Sequence, residues 1–137
     1  MIENRSMPRA TVMPVLVYKD VDAAVDWLCA AFGFTERWRA GGHRAQLSYG
    51  AGALVVAEPS ARGQGGPGAV LVRVDDVDAH HDRARDHGAR ILHPPTDHPY
   101  GERQYTAVDP AGHRWTFSQS IADLAPEDWG GTTADLG

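Results

Sequence analysis

Apolar and polar positions along the chain follow one order twice: an apolar strand, an amphipathic helix and three short strands. The first strand is TVMPVLVY, and the apolar residues of the helix after it share one face at helical spacing: Val21, Val25, Leu28, Cys29 and Phe32. Asp20 precedes this helix and Gly33 follows it, which predicts an N-cap and a C-terminal stop. The segments FTERWR, HRAQLSY and ALVVAE predict the three strands.

The second half repeats this order, beginning with the apolar strand AVLVRV. When Asp20 of KDVDAAVDWLCAAFGF is aligned with Asp76 of DDVDAHHDRARDHGAR, a valine, an alanine and two further aspartates also coincide. The second helix is expected to stop at Gly88, and ARILH, RQYTAV and HRWTFSQ predict three more strands. Agreement of both the helices and their flanks predicts two tandem copies of one βαβββ module.

These elements predict an α+β fold in a single domain covering residues 1–137. Its parts are expected to be module 1 at 10–60, a Gly-rich linker at 61–68, module 2 at 69–120 and a C-terminal tail at 121–137. Each module leaves sheet edges open, and small domains commonly cover such edges by pairing, so we expect a homodimer. Trp129 in the tail predicts docking of that segment onto the body or onto a partner subunit.

The segment DPAGHRWTF brings an acid, a histidine, an arginine and a tryptophan close together in the sequence. DPAG has the residues of a turn, because proline presets φ and glycine accepts a positive φ. The following residues alternate, so Trp115 and Phe117 should pack under a helix while Arg114 and Thr116 face the other way. The segment is therefore expected to be architecture first, with any chemistry confined to its polar side.

Composition and charge exclude several classes of function. The formal net charge is −5 and the pI is near 5.7, so the chain lacks the basic surface that nucleic-acid binding requires. No apolar run is long enough to span a bilayer and no secretion signal is apparent, so we expect no membrane partner. The single cysteine, Cys29, allows no internal disulfide, which favours a cytoplasmic protein. We expect Cys29 to be a small buried side chain rather than a nucleophile.

Two segments give the chain a resemblance to a known family. The early KDVDAAVDWLCAAFGF and the late HPYGERQYTAVDPAGHRWTF, within a duplicated βαβββ unit, resemble the vicinal oxygen chelate superfamily over about residues 12 to 119. This superfamily includes glyoxalase I, extradiol dioxygenases and bleomycin-resistance proteins, and the late segment is most similar to the last of these. The resemblance implies a curled mixed sheet with helices on its convex side and a cleft on its concave side. It does not by itself assign a function.

The metal-dependent members carry four ligands on four strands, and the resemblance places those positions at Met13, Val56, Ala69 and Thr116. None of these side chains is a ligand of zinc or of a hard cation, and a register shift of two residues would add only Glu58. The adjacent His80 and His81 diverge on a helix, and His93 and His98 flank a PPTD loop where structural roles are the simpler interpretation. We therefore predict no metal and no other cofactor.

Alternation along the strands predicts which side chains line the concave face of the sheet. From this face we select seven candidate ligand-binding residues, Met13, Trp38, Gln46, Val56, Gln104, Thr106 and Thr116, and we add Tyr100 for its aromatic ring. The rings of Trp38 and Tyr100 offer stacking surface for planar groups, while the amides and hydroxyls would orient polar groups of a ligand. None of the eight is expected to be catalytic. The same alternation places around them Val15, Val17, Arg44, Ser48, Leu54, Glu58, Ala69, Leu71, Arg73, Val108, Arg114 and Ser118.

Three functions are compatible with the sequence, and the first matches it best. A metal-independent binding protein would sequester an aromatic natural product or antibiotic, as bleomycin-resistance proteins do, and would provide self-resistance. A metal-free lyase or isomerase would instead use Glu58 or a histidine in the cleft as its base. A metal-dependent glyoxalase or dioxygenase ranks third because the ligand positions lack ligands. In each case the expected partner is a small organic molecule.

Overall fold

Two four-stranded mixed sheets, each packed against its own helix, form most of the computed structural model, which describes residues 2–59 and 68–134. The chain divides into two units, Met1–Gly68 and Ala69–Gly137. The first unit contains β1 (Val15–Val17), α1 (Val21–Trp27), β2 (Thr35–Ala40), β3 (Arg44–Tyr49) and β4 (Gly52–Ala57). The second unit contains β5 (Ala69–Arg73), α2 (Val77–Asp86), β6 (Arg90–His98), β7 (Glu102–Val108) and β8 (Arg114–Ser120).

The two units have the same sheet topology. The strand order is β1-β4-β3-β2 in the first and β5-β8-β7-β6 in the second. In each sheet the first strand of the module pairs in parallel with the last, and the remaining pairs are antiparallel. The predicted α+β fold of two tandem βαβββ modules is therefore confirmed. The predicted linker, 61–68, lies outside the described residues except for Gly68.

Both helices begin after the aspartates that the sequence indicated. The Asp20 carboxylate accepts a hydrogen bond from the amide three residues later at 3.0 Å, and the Asp76 carboxylate accepts the equivalent bond at 3.1 Å. Each aspartate has an extended backbone, as an N-cap residue should. The carboxylates thus satisfy amides of the first helical turn that have no partner within the helix.

The first helix widens in its last turn. After α1 the chain forms a π-helical turn, Leu28–Phe32, which ends at Gly33 with a φ of 81° in the left-handed region. The turn buries three of its five residues and leaves Cys29 half-buried rather than fully buried as expected. Burial raises the pKa of the Cys29 thiol, so it stays protonated and poorly nucleophilic at neutral pH.

Each sheet buries its helix-facing side chains in a small apolar core. Besides Gln46, the most completely buried large side chains of the first unit are Val21, Val25, Leu28, Phe32, Leu47 and Val56, and those of the second unit are Val77, Tyr105, Trp115 and Phe117. The rings of Trp115 and Phe117 lie parallel at 6.2 Å under α2, as alternation along this segment predicts. No helix among the described residues combines the length and the apolar character needed to cross a membrane.

The strand β6 is longer than the sequence indicates. It spans nine residues and includes the PPTD segment, for which a loop is predicted from its prolines. Its pairing with β7 is irregular between Ile91 and His93 and again between His93 and Thr96. These bulges accommodate Pro94 and Pro95, which have no N–H to donate to the ladder, and β6 is an edge strand where prolines are tolerated.

The C-terminal tail is bound to the turn between β6 and β7. The amides of Ile121 and Ala122 donate to the Gly101 carbonyl at 2.8 and 3.3 Å. The ring of Trp129 meets that of Tyr100 edge-on, with 5.8 Å between centroids, so this tryptophan docks onto its own unit. Gly101 has a φ of 82°, and a Cβ at this position would lie 2.7 Å from the Ala122 carbonyl oxygen, so the contact requires glycine.

Candidate functional site

The acidic residue of the DPAG turn holds the turn in place. Asp109 is 3% exposed, and one of its carboxylate oxygens accepts hydrogen bonds from the amides of Ala111 and His113, each at 3.0 Å. The other oxygen accepts a hydrogen bond from Trp115 Nε1 at 3.0 Å. Both oxygens are thus used inside the fold, which confirms the architectural interpretation of this segment.

A chain of hydrogen bonds crosses the face of the second sheet that is turned away from α2. The Tyr100 hydroxyl donates to Gln104 Oε1 at 3.0 Å, and Gln104 Nε2 donates to Ser118 Oγ at 3.0 Å. The Ser118 hydroxyl in turn donates to Glu102 Oε1 at 2.6 Å. All donors in this chain point the same way, so the orientation of the Gln104 amide is fixed.

The hydrogen-bond chain ends at the carboxylate of Glu102, which is held ionised. Hydrogen bonds from Ser118 and Ser120 lower the pKa of Glu102, and the positive charge of Arg73 lowers it further. Partial burial of the carboxyl raises the pKa; this effect is smaller than that of the hydrogen bonds but larger than that of Arg73. The two hydrogen bonds are thus the main reason that Glu102 stays ionised.

An open groove of about 360 Å³ lies beside this hydrogen-bond chain. This volume is within the range of small-molecule sites. The groove is lined by Ala69, Val70, Leu71, Gln104, Arg114 and Thr116. The residues of β5 form an apolar wall in which Leu71 is 66% exposed, while Gln104 and Thr116 supply polar groups from β7 and β8. Thr116 Oγ1 is itself 3.0 Å from Thr106 Oγ1.

The first sheet brings Trp38 and Gln46 together as Cα partners across β2 and β3. Gln46 is 1% exposed, and its Oε1 accepts a hydrogen bond from the Arg37 guanidinium. Trp38 Nε1 donates to the Ser6 carbonyl at 2.9 Å, and Arg37 also donates to the Arg5 carbonyl at 3.2 Å. The segment before β1 therefore binds two neighbouring residues of β2 and occupies the indole N–H of Trp38.

The predicted orientation of β4 is wrong by one residue. Val56 pairs with Leu16 of β1 and Ala45 of β3, and all three are buried on the side that faces α1. Val55, the partner of Gln46, takes the place on the opposite face that Val56 was expected to fill. The cause is the apolar segment ALVVA, which is buried on both faces and so gives no alternation from which to read the orientation.

The eight candidate residues thus fall into two groups, one on each sheet, and two exceptions. One face of the second sheet brings together Tyr100, Gln104, Thr106 and Thr116. The first sheet brings together Trp38 and Gln46. Met13 lies two residues before β1 and is half-buried, and Val56 faces the core. Ligand binding by these residues stays a prediction.

Six residues that were not selected from the sequence belong to the groove or to the hydrogen-bond chain: Ala69, Val70, Leu71, Glu102, Arg114 and Ser118. Alternation already placed Leu71 and Arg114 on this face, but neither residue type by itself indicates a binding site. Glu102 was missed because the predicted strand begins one residue later, at Arg103. Glu102 would have been found only with the cross-strand register, which brings it opposite Ser120.

A histidine and a glutamate form a polar pair at the end of the first sheet. His43 Nδ1 is 2.9 Å from Glu58 Oε1, and the two side chains are 71% and 48% exposed. The Glu58 amide also donates to the His43 carbonyl at 3.0 Å, so the pair extends the ladder of β3 and β4. The hydrogen bond from the imidazole to Glu58 raises the pKa of His43.

The positions at which the resemblance places metal ligands do not fit a metal ion. Val56 is in the apolar core, Thr116 Oγ1 is hydrogen-bonded to Thr106, and the other two positions carry Met13 and Ala69. Within 2–59 and 68–134, no three His, Cys, Asp or Glu side chains are grouped so as to hold a metal. A zinc or hard-cation site needs a set of such donors.

His80 packs against aromatic side chains of the second sheet. His80 Nδ1 is 2.5 Å from the Tyr105 hydroxyl, and its ring packs against Phe117 with 4.1 Å between centroids. Both adjacent histidines on α2 contact the sheet, because the His81 ring also meets that of Tyr105 edge-on at 5.2 Å.

Clusters of charged residues connect each helix to its sheet. Arg39 of β2 lies 3.0 Å from Asp22 of α1, and Arg103 of β7 lies 3.0 Å from Asp78 of α2. Asp22 and Asp78 are equivalent positions in the alignment of the two modules. Further acids contact these arginines: Asp26 and Glu36 in the first unit and Asp97 in the second.

The sequence and the fold match one family. The family model described as Glyoxalase/Bleomycin resistance protein/Dioxygenase superfamily matches residues 10–117. This span includes both βαβββ modules almost completely. The chain belongs to this superfamily, and the resemblance seen in the sequence is confirmed.

Individual relatives add detail to this assignment. TioX from Micromonospora sp. ML1 is 37% identical, with a TM-score of 0.71, over 80% of this chain and 99% of that one. An uncharacterized protein of Mycobacterium bovis is 29% identical over 128 residues, 81% of this chain and 84% of its own. A lactoylglutathione lyase from Agrobacterium tumefaciens has a TM-score of 0.67 and 22% identity over 82% of this chain and 96% of that one. The last likeness shows the fold alone.

Proposed function

We propose that this protein binds a small organic molecule with an aromatic body in the groove of its second unit and releases it unchanged, without a metal ion. The observation that carries the proposal is the lining of the groove, where an apolar wall on β5 adjoins polar side chains of β7 and β8. Membership of a superfamily whose description includes bleomycin resistance proteins supports an aromatic natural product or antibiotic as the ligand, and self-resistance as the role.

The chemistry of the lining favours binding over catalysis. The polar groups are the Gln104 amide, the Thr116 hydroxyl and the Arg114 guanidinium. Amides and hydroxyls do not ionise near neutral pH, and a guanidinium keeps its proton there. Groups of this kind orient a ligand through hydrogen bonds and charge, but they are poor general acids and bases.

The polar groups are also ordered before a ligand arrives. Gln104 is held on one side by Tyr100 and on the other by Ser118, and Thr116 is held by Thr106. A ligand therefore meets side chains that have already lost much of their rotational freedom. Preorganisation of this kind raises affinity because less entropy is lost on binding.

The proposal is tested with phenylnaphthylamine, a neutral aromatic dye whose fluorescence rises in an apolar environment. Wild-type protein should bind the dye, and Leu71→Asp should weaken binding about tenfold, because it places a charge in the apolar wall. Leu71 is 66% exposed, so the substitution leaves the core intact. The matched control is Val12→Asp, which changes an apolar residue of the first unit that is 77% exposed. Equal affinity of both variants for the dye would contradict the proposal.

A direct assay separates this proposal from a metal-dependent glyoxalase. Methylglyoxal and glutathione, supplied with Zn²⁺ or Ni²⁺, should yield no thioester above the rate in buffer. The Agrobacterium lactoylglutathione lyase provides the positive control. Product formed over many turnovers by this protein would contradict metal-independent binding.

A second candidate function is a metal-free lyase or isomerase, and the pair of His43 and Glu58 favours it. A carboxylate bound to one imidazole nitrogen orients the ring and raises its basicity, as a general base requires. Mass spectrometry of a bound natural product, before and after incubation, distinguishes the two functions. A changed product that Glu58→Gln no longer forms would establish the enzyme; unchanged ligand supports binding.

We also propose that the protein works as a homodimer in the cytoplasm. Within their own sheets β1 and β5 pair on one side only, and each exposes an apolar residue, Val15 at 52% and Leu71 at 66%. Unpaired strand edges commonly associate. Sedimentation at micromolar protein should give the mass of two chains, and the mass of one chain would contradict the dimer.

A further inference from the structure

The groove of the second unit is lined by one arginine, Arg114, whose charge is not neutralised by an ion pair within the described residues of that unit. Arg114 lines the groove at the start of β8, opposite Ala69 of β5. Its side chain forms no ion pair or hydrogen bond with any residue in the described parts of the chain. Arg103, on the other face of the same sheet, differs because it binds Asp78 and Asp97.

The acids nearest to Arg114 along the strands do not neutralise it. Glu102 lies opposite Ser120, six residues along β8 from Arg114, or about 20 Å at the rise of an extended strand. That distance exceeds the screening length of about 8 Å at physiological salt. Asp109 is closer along the chain, but it is buried and its oxygens already accept hydrogen bonds from Trp115 Nε1 and from the amides of its own turn.

The arrangement of the groove separates its apolar and charged parts. Leu71 pairs with Thr116, and Ala69 pairs with Arg114, so the exposed leucine and the guanidinium lie two residues apart along adjacent strands. A ring placed against Leu71 would thus have its substituents within reach of Arg114 at one end. A guanidinium presents several N–H donors in a plane, which matches the two oxygens of a carboxylate or sulfonate.

Resting on the proposed function, we infer that the ligand is an organic acid: an aromatic body carrying a carboxylate or a similar anionic group, with Arg114 binding the anion. The chain as a whole carries a net charge of −5, so it repels anions at long range. A preference for anionic ligands would therefore come from the groove and not from the overall charge of the protein.

The test compares two dyes that share one aromatic skeleton. Anilinonaphthalene sulfonate and phenylnaphthylamine differ by a single sulfonate group, and both fluoresce when bound. Wild-type protein should bind the sulfonate about fivefold more tightly than the neutral dye, the contribution expected of one solvent-accessible ion pair. Arg114→Gln should abolish this preference, so that the ratio of the two affinities falls to about one, and Arg114→Lys should retain part of the preference.

The control is Arg85→Gln, which removes the same charge from α2, where Arg85 contacts Asp82 and Asp86. This variant should keep the wild-type preference for the sulfonate. Equal binding of both dyes to wild type, or a preference that survives Arg114→Gln, would overturn the inference while the proposed function stands. Failure of both dyes to bind would instead overturn the proposed function and the inference together.

Discussion

Asp109 accepts three hydrogen bonds although it is almost completely buried. Its carboxylate replaces water for two backbone amides and for the indole N–H of Trp115. Without this carboxylate, the amide of the exposed Ala111 and two buried donors would lose their partner, and a buried donor without a partner is costly. The single side chain thus fixes the DPAG turn and the tryptophan at the centre of the second core.

We therefore expect Asp109→Ala to lower the free energy of unfolding by about 3 kcal/mol, the scale of losing hydrogen bonds to a charged group. Urea denaturation followed by tryptophan fluorescence measures the change. Asp123→Ala, an exposed acid of the tail, should change the free energy of unfolding by no more than about 0.5 kcal/mol. Similar stability of the two variants would show that the Asp109 bonds do not hold the turn.

The pair of His43 and Glu58 predicts a pH dependence. The pKa of His43 is raised in the folded protein, so the imidazolium is favoured by folding. Its contribution to stability is present below the unfolded pKa and is lost as the pH rises through the folded pKa. An NMR titration of the imidazole should place the His43 pKa above its ordinary value, and Glu58→Gln should bring it down. A His43 curve that does not move on Glu58→Gln would disprove the pairing.

At the scale of elements, the turn at Gly101 fixes where the tail docks. Gly101→Ala must accommodate a positive φ and a Cβ that would lie 2.7 Å from the Ala122 carbonyl oxygen. Gly50→Ala is the matched control, because Gly50 has a φ of 55° but open space around it. We expect Gly50→Ala to lower the free energy of unfolding by about 1 kcal/mol through backbone strain alone, and Gly101→Ala to lower it further.

The same substitution should release the tail. Chymotrypsin cleaves after aromatic residues, and Trp129 is held against Tyr100 in the wild-type protein. Cleavage after Trp129 should therefore be faster in Gly101→Ala than in Gly50→Ala. Equal cleavage rates would mean that the hydrogen bonds to Gly101 do not hold the tail.

Elements could be predicted from the sequence where local chemistry determines them. The N-caps at Asp20 and Asp76 depend on a side chain and an amide three residues away, and both were found. The face of β4 could not be found, because Val55 and Val56 are both apolar and both buried. Its orientation is set by pairing with β1 and β3, which are distant in sequence.

The candidate site could likewise be predicted where a local pattern determines it, but not where pairing between distant strands does. Alternation put Gln104, Thr106 and Thr116 on one face, because polar and apolar residues alternate regularly along β7 and β8. The hydrogen bonds that connect this face to Tyr100 and Glu102 depend on the cross-strand register and on a turn. No local pattern of residues reports either of these.

At the scale of the whole molecule, the prediction of metal independence is open to a direct experiment. Elemental analysis of the purified protein should find no stoichiometric Zn, Ni, Fe or Mn. Treatment with a chelator should leave the melting temperature unchanged, because no bound ion contributes to the folded state. A metal-dependent glyoxalase treated in parallel is the control. One metal per chain, with a lower melting temperature after chelation, would contradict the prediction.

The charged clusters of the two modules have a consequence for the history of the chain. Asp22 and Asp78 occupy one position of a duplicated helix, yet the first binds an arginine of β2 and the second an arginine of β7, the third strand of its module. Duplication creates identical halves, so this difference arose later, after the halves began to diverge. The helical acid is thus common to both halves, whereas the strand that supplies its arginine differs between them.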